Sequence, residues 1–406
     1  EQKATKMGPE REEEAEIEVM EVEDHKEVIP LSPEQMALLA EQKKVEGNQQ
    51  YVAKNYKDAL SLYTQAIEMC PTCAAYYSNR AATYMMLFQF DKALEDARQS
   101  VNIDPQFVKG HLRQAKCYLS LGEVAAAINS YQAALQIDAS NKTAQTELEQ
   151  SQRVQQFMAK AEESYAKGDH RTVVFCMDRC IDLSPECKKF KITKAECLCR
   201  LKRYQESQEI ANDILRNDNI NADAMYVRGL CLYYQDNVEK AFQHFQQVLR
   251  LAPDHTKARA IYKKAKLLTQ KKEEGNTAFR SGRLQEAYDM YTEALAIDPD
   301  NVFTNAKLYC NRATVCSKTK KVDQAIDDCS EAIKLDDTYL KAYMRRAKCY
   351  LDSEQYEEAV RDYEKIYKLD RNQSNKQLLQ DAKLELKKSK RKDYYKLLGV
   401  GKSATD

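Results

Sequence analysis

Small residues punctuate the polar pattern of this chain at a fixed interval. Gly47, Ala81 and Ala115 lie 34 positions apart, as do Ala161, Ala195 and Gly229, and again Ala313 and Ala347. A second small residue follows twelve positions later, at Ala59, Ala93, Ala127, Ala241, Ala287, Ala325 and Ala359. Prolines recur at one offset beyond these: Pro71, Pro105, Pro185, Pro253 and Pro299. Small residues let two antiparallel helices approach closely, and a proline stops the second helix before the next unit begins. The spacing therefore predicts helix pairs repeated along the chain. No stretch carries enough alternating β-branched residues to predict a sheet.

Small, small, proline at this period resembles the tetratricopeptide repeat, which implies an all-α solenoid, a right-handed superhelix. Nine units can be counted, three near 40–141, three near 154–255 and three near 268–373. The spacing breaks twice by the same amount: Ala115 to Ala161 and Gly229 to Gly275 are each 46 residues. The extra residues, Lys142–Val154 and Thr256–Leu267, are polar and helix-prone, so each is expected to close a block of three with a capping helix. A third such segment spans Ser374–Lys390. Gly275 to Ala313 is 38, which places a four-residue insertion near Val302–Asn305 and predicts a longer turn there. The expected organisation is an acidic disordered tail over 1–34, blocks over 35–153, 154–267 and 268–390, and a separate start at 391–406.

Composition narrows the function classes. Net charge is zero, which removes the electrostatic case for nucleic acid. The ends are polarised: residues 1–30 hold eleven acidic and four basic side chains, residues 383–402 two acidic and eight basic. No apolar run is long enough to span a bilayer. The first residue is Glu1 rather than Met, so the sequence does not speak to an N-terminal signal. Thirteen cysteines follow the apolar helix positions, Cys117, Cys231 and Cys349 among them, and fit a reducing compartment, cytosol or nucleus. Cys70 and Cys73 form the single C-x-x-C, without a second pair at zinc spacing, and the five histidines are scattered. No metal and no cofactor is expected. No Gly-rich phosphate loop, H-E-x-x-H or G-x-S-x-G is present, so the chain reads as a binding protein, not an enzyme.

One subclass of tetratricopeptide solenoids holds the extreme C-terminus of a partner in a carboxylate clamp. Its pattern is Lys-x-x-x-Asn, then Asn before Arg, then Lys-x-x-x-Arg on three successive first helices. This sequence matches it twice, at Lys44, Asn48, Asn79, Lys109 and Arg113, and at Lys272, Asn276, Asn311, Lys341 and Arg345. Residues four apart share a helix face, so three helices can aim five side chains at one point. Lys and Arg suit carboxylates, and Asn offers a donor and an acceptor to a peptide backbone. The middle block carries Met158, Glu162, Thr193, Asp223 and Val227 at the equivalent places, matching none of the five. Tyr77, Tyr118 and Tyr350 read as packing residues.

After the third block, Asp393-Tyr394-Tyr395-Lys396-Leu397-Leu398-Gly399-Val400 resembles the opening of a J domain. The His-Pro-Asp loop of that family does not follow before Asp406, so the chain reads as cut within it. Together these features resemble the cytosolic tetratricopeptide-repeat co-chaperones of J-domain subfamily C. The resemblance implies an adaptor for the acidic tails of the 70-kDa and 90-kDa heat-shock chaperones, acting on unfolded or partly folded clients. ATPase stimulation would belong to a chain with the complete J domain. A scaffold for other acidic C-termini is the alternative reading.

Overall fold

The computed structural model describes residues 32–390, and every regular element among them is an α-helix. The acidic arm up to residue 31 and the J-domain-like segment 391–406 lie outside the described residues. The chain divides into two compact units, one ending at Gly110 and one beginning at His111.

In the first unit α1 (Pro33–Val52) packs on α2 (Tyr56–Met69), and α3 (Ala74–Met86) on α4 (Phe90–Ile103). Ser32 starts α1 with a capping box: its hydroxyl accepts from the Gln35 N–H at 3.2 Å, and Gln35 Oε1 accepts from the Ser32 N–H at 2.9 Å. Helix α5 (Val108–Leu121) crosses the unit boundary.

The second unit continues with α6 (Val124–Ile137), α7 (Lys142–Ala166), α8 (His170–Leu183), α9 (Lys188–Arg200), α10 (Tyr204–Asn217), α11 (Ala222–Tyr234) and α12 (Val238–Leu251). It ends with α13 (Thr256–Arg280), α14 (Leu284–Ile297), α15 (Val302–Lys318), α16 (Val322–Leu335), α17 (Leu340–Asp352), α18 (Tyr356–Leu369) and α19 (Gln373–Ser389). Sequential helices pack pairwise: α7 on α8, α11 on α12, α13 on α14, α15 on α16, α17 on α18.

The spaced small residues sit at these contacts. Ala59, Ala93, Ala127, Ala241, Ala287, Ala325 and Ala359 are fully buried. A Cβ added at Gly47, Gly229 or Gly275 would meet the ring of Tyr63, Phe245 or Tyr291 at 2.7–2.8 Å, so an aromatic ring takes the space a side chain would need. The prolines fall two residues past helix ends, Pro71 after Met69 and Pro299 after Ile297 for example.

The turn inside each pair contains a residue in the left-handed region: Lys54, Phe88, Gly122, Gly168, Lys202, Asp236, Gly282, Lys320 and Glu354, with φ of 58–79°. The following N–H then reaches back five residues to a helix carbonyl at 2.8–3.0 Å, which satisfies an orphan acceptor at the helix end. Six of these positions are not glycine, so the turn geometry overrides residue preference.

Two expectations about the insertions need correction. The segments 142–154 and 256–267 are helical, but they do not form separate capping helices. Each runs unbroken into the following repeat as the 25-residue helices α7 and α13. With no Pro or Gly in the first turns, and with caps from Asn141 and His255, nothing ends the helix at 153 or 267. The boundaries 153/154 and 267/268 therefore fall inside helices. Only α19, packed on α18, is a separate closing helix among the described residues.

The insertion near Val302–Asn305 likewise lengthens a helix and not a turn. It makes α15 a 17-residue helix where α3 has 13. The added turn is buried except for Phe303. Thr304 donates to Asp236 at 2.7 Å, and Asn305 donates to the Asp298 carbonyl at 2.8 Å. Asp298 also accepts from the buried Tyr233 hydroxyl at 2.8 Å.

Candidate functional site

The site begins with the contact of a glycine and a tyrosine. Because Gly275 has no side chain, the Tyr291 ring lies across α13, and its hydroxyl donates to Asn276 Oδ1 at 2.9 Å. Burial pushes the Tyr291 hydroxyl pKa up, which keeps it a proton donor. Asn311 on α15 donates its Nδ2 to the same oxygen at 3.4 Å. Two donors on Oδ1 fix the amide, so its Nδ2 points the other way and donates to Glu273 at 3.1 Å. Glu273 is exposed and bound to Arg280 at 2.6 Å, a surface pair. Beside the cluster opens a cavity of about 170 Å³ lined by Asn276, Phe279, Arg280, Tyr291, Asn311 and Thr314.

The three cations of the sequence pattern lie on α13 and α17. Lys272 is one turn before Asn276 on α13. Its charge acts on Asp236, whose pKa is lowered overall by Lys307, Thr304 and Lys272 against the opposing effect of burial. Lys341 and Arg345 are one turn apart on α17. Burial pushes the Cys310 thiol up while Arg345 and Lys341 act against it, which places both cations near the residue preceding Asn311. Of these three cations none lines the cavity beside Asn276, where the basic residue is Arg280, and Lys272 lines a separate one with Asp236.

An arginine next in sequence to a site residue anchors each of these helices. Arg312, beside Asn311, clasps Asp328 of α16 with two bonds of 2.9 and 2.7 Å. Arg346, beside Arg345, clasps Asp362 of α18 at 2.8 and 2.7 Å. These pairs are largely buried and tie each site helix to its partner.

The first unit repeats the arrangement. Tyr63, over Gly47, donates to Asn48 Oδ1 at 2.8 Å, and Asn79 donates to the same atom at 3.1 Å. Arg80 clasps Asp96 at 2.7 and 2.8 Å. Lys44 pairs with Glu41 on its own helix. Lys109 lies at the end of this unit, and Arg113, one turn further along α5, belongs to the second unit.

At the equivalent places of the middle stretch the chemistry is reversed. Val227 is fully buried. Asp223 accepts from His255 Nε2 at 3.1 Å, a bond that lowers its pKa, while His255 Nδ1 accepts the Ala258 N–H at 3.0 Å. Met158, Glu162 and Thr193 line a separate cavity. Tyr63 and Tyr291 are not among the residues that the clamp pattern marks. Their signal is a Tyr fifteen residues after each clamp Asn, where the middle stretch has Met177. Tyr77 and Tyr350 pack under Arg80 and Arg346, at 5.8 and 5.9 Å from ring centre to guanidinium.

Among the described residues no group of His, Cys, Asp or Glu is placed to hold a metal, and no helix is long and apolar enough to cross a membrane.

Known proteins agree with this architecture. The tetratricopeptide repeat family matches residues 88–142, 222–255, 306–339 and 340–373. The crystal structure of the P58(IPK) TPR domain has a TM-score of 0.58 at 22% identity, covers 87% of this chain and 99% of that chain, and shares the all-α fold. DnaJ homolog subfamily C member 7 of Homo sapiens is 58% identical over 90% of this chain and 74% of its own length. The homolog of that protein in Schizosaccharomyces pombe is 40% identical over 92% of this chain and 73% of its own length. With identity of this order over most of both sequences, the chain belongs to the DnaJ homolog subfamily C member 7 family of tetratricopeptide-repeat co-chaperones.

Proposed function

We propose that this chain is a non-enzymatic adaptor built from nine repeats in three blocks, which holds the acidic C-terminal tails of the 70-kDa and 90-kDa heat-shock chaperones. One clamp comprises Lys272, Asn276, Asn311, Lys341 and Arg345, and the other Lys44, Asn48, Asn79, Lys109 and Arg113. Unfolded or partly folded clients would pass between the chaperones so held, in cytosol or nucleus. Stimulation of ATP hydrolysis is assigned to a complete J domain.

The observation that carries the reading is the cluster of one Tyr and two Asn side chains that recurs around Asn48 and Asn276. In both places two donors hold Oδ1, so the amide nitrogen is committed to an acceptor from outside the cluster. A terminal carboxylate beside an acidic side chain supplies acceptors for that nitrogen and for the surrounding cations. Asn48 and Asn276 are 228 residues apart, and the equivalent position midway between them is Glu162. A constraint of the fold alone would not skip the middle copy.

The test is calorimetric titration with a free and a C-terminally amidated acidic tail peptide. Amidation removes the charge that the cations neutralise and should abolish most of the binding, and added salt should weaken the remainder. Equal affinity for both peptides would sink the clamp. Equal affinity for any acidic C-terminus, whatever its sequence, would leave the clamp standing and remove the assignment to chaperone tails.

A further inference from the structure

The middle stretch of the second unit carries a cavity of its own. A cavity of about 420 Å³ opens against α7, α8 and α9, within the roughly 300–1,000 Å³ of small-ligand clefts. Met158, Glu162 and Thr193, at the places of three clamp residues, line it with Met177, Val173 and Phe190. Met177 stands where Tyr63 and Tyr291 stand in the outer sets, 114 residues from each. The exchange removes the hydroxyl that would orient an amide and puts a flexible thioether in its place. Methionine adapts to apolar partners of varied shape, and here two of them face one cavity.

The charges at the rim select further. Glu162 is exposed in the lining, so a terminal carboxylate meets a negative group where the outer sets have an amide donor, while Asp223, at the place of the clamp Lys, is bonded to His255 and does not line the cavity. Lys257 is committed to the buried Glu196 at 2.7 Å. Lys189 is exposed at the rim and makes no direct ion pair among the described residues, its charge acting only at longer range on Asp223.

We propose that this cavity receives a bulky apolar side chain from an internal, extended segment of a partly unfolded polypeptide, with an acidic residue beside it facing Lys189. The apolar wall supplies the affinity, and the unpaired Lys189 supplies the preference for an acidic neighbour. No clamp residue takes part, so the proposal stands or falls separately from tail binding.

The test uses the full chain carrying Lys109→Ala and Lys341→Ala, with methyl-labelled methionine and NMR detection. The probe is an end-blocked peptide of glycine and serine containing one Asp-Leu-Asp triplet. The Met158 and Met177 methyl signals should shift saturably. Replacing the peptide leucine by serine should abolish the shift, since burial of one leucine is worth about tenfold or more in affinity. Replacing both peptide aspartates by lysine should weaken binding about threefold or more at low salt. Met158→Lys and, independently, Thr193→Leu should each reduce affinity about tenfold, with an unchanged melting temperature showing that the fold is intact. Equal shifts with the serine peptide, or unaltered affinity in both variants, would overturn the proposal. So would displacement of the probe by a free acidic tail peptide. Self-association of the chain that Met158→Lys abolishes would also overturn it, by assigning the cavity to a second copy.

Discussion

The stretch around Asn276 and the stretch around Glu162 share one backbone plan and differ in what faces the groove. Both place a long helix against a shorter one, α13 on α14 and α7 on α8, with a left-handed glycine between them at Gly282 and Gly168. In the first, Gly275 admits a tyrosine that orients Asn276. In the second, Ala161 and Met177 leave an apolar hollow edged by Glu162. Further along, Arg312 holds Asp328 in a largely buried fork, whereas Lys194 meets Asp178 at 2.6 Å with both side chains more open to solvent. The repeat constrains the small and large residues where helices meet. It leaves the residues beside these contacts free to differ.

The largest test of this contrast is on stability. Arg312→Ala strands Asp328 and should cost about 3 kcal/mol in chemical denaturation, whereas Lys194→Ala should cost under about 1 kcal/mol. Equal losses would mean that the two ties are not different in kind.

Next in size is the loss of a cation. Arg345→Ala or Lys341→Ala should weaken free tail peptide in the third block by about 1.5–3 kcal/mol, roughly ten- to a hundredfold. Neither change should affect the middle cavity. Wild-type affinity in both variants, by calorimetry, would remove the clamp.

Gly275→Ala touches no ligand yet should matter. The added carbon would lie 2.7 Å from the Tyr291 ring, so the ring must move, at a cost of about 1–2 kcal/mol. Because that ring's hydroxyl holds Asn276, tail affinity should fall as well. A destabilised protein with unchanged affinity would show that Tyr291 does not position the amide.

The smallest effect is on pH. Burial lowers the pKa of His170 and His244, both in the middle stretch, and each has an Nδ1 without a hydrogen-bond partner. A histidine pKa depressed by folding contributes stability that is complete above the unfolded value near 6.5 and lost as pH falls from there through the folded value. Hydrogen exchange in α8 and α12, corrected for intrinsic rates, should therefore quicken between pH 7 and pH 5 more than in α14 and α16. Uniform quickening would remove the distinction.

Much of this is legible in the sequence because small residues mark helix contacts by size alone. Gly47 and Gly275 stand out from spacing, and so do the Asn residues next to them. The tyrosines are harder to see, because an aromatic fifteen positions on looks like any core residue until its hydroxyl is placed. The inserted residues look like breaks in the spacing, yet 142–154 lacks any signal to stop a helix, so the backbone continues. The turns are hidden for another reason. At Phe88 and Lys202 the pairing of two helices dictates a left-handed residue that neither side chain advertises.

The unbroken α7 and α13 decide how the chain can be dissected. Each is about 37 Å long. A fragment ending at 153 or 267, where the repeat arithmetic suggests a seam, would sever a helix and bare faces carrying the buried Val154 or Leu268. The sounder places to open the chain are the exposed turns at Gly168 and Gly282, where an added side-chain carbon meets nothing within 4 Å. Reporter insertions in this protein belong at those glycines, whereas an expression fragment ending there would part α7 from α8 or α13 from α14.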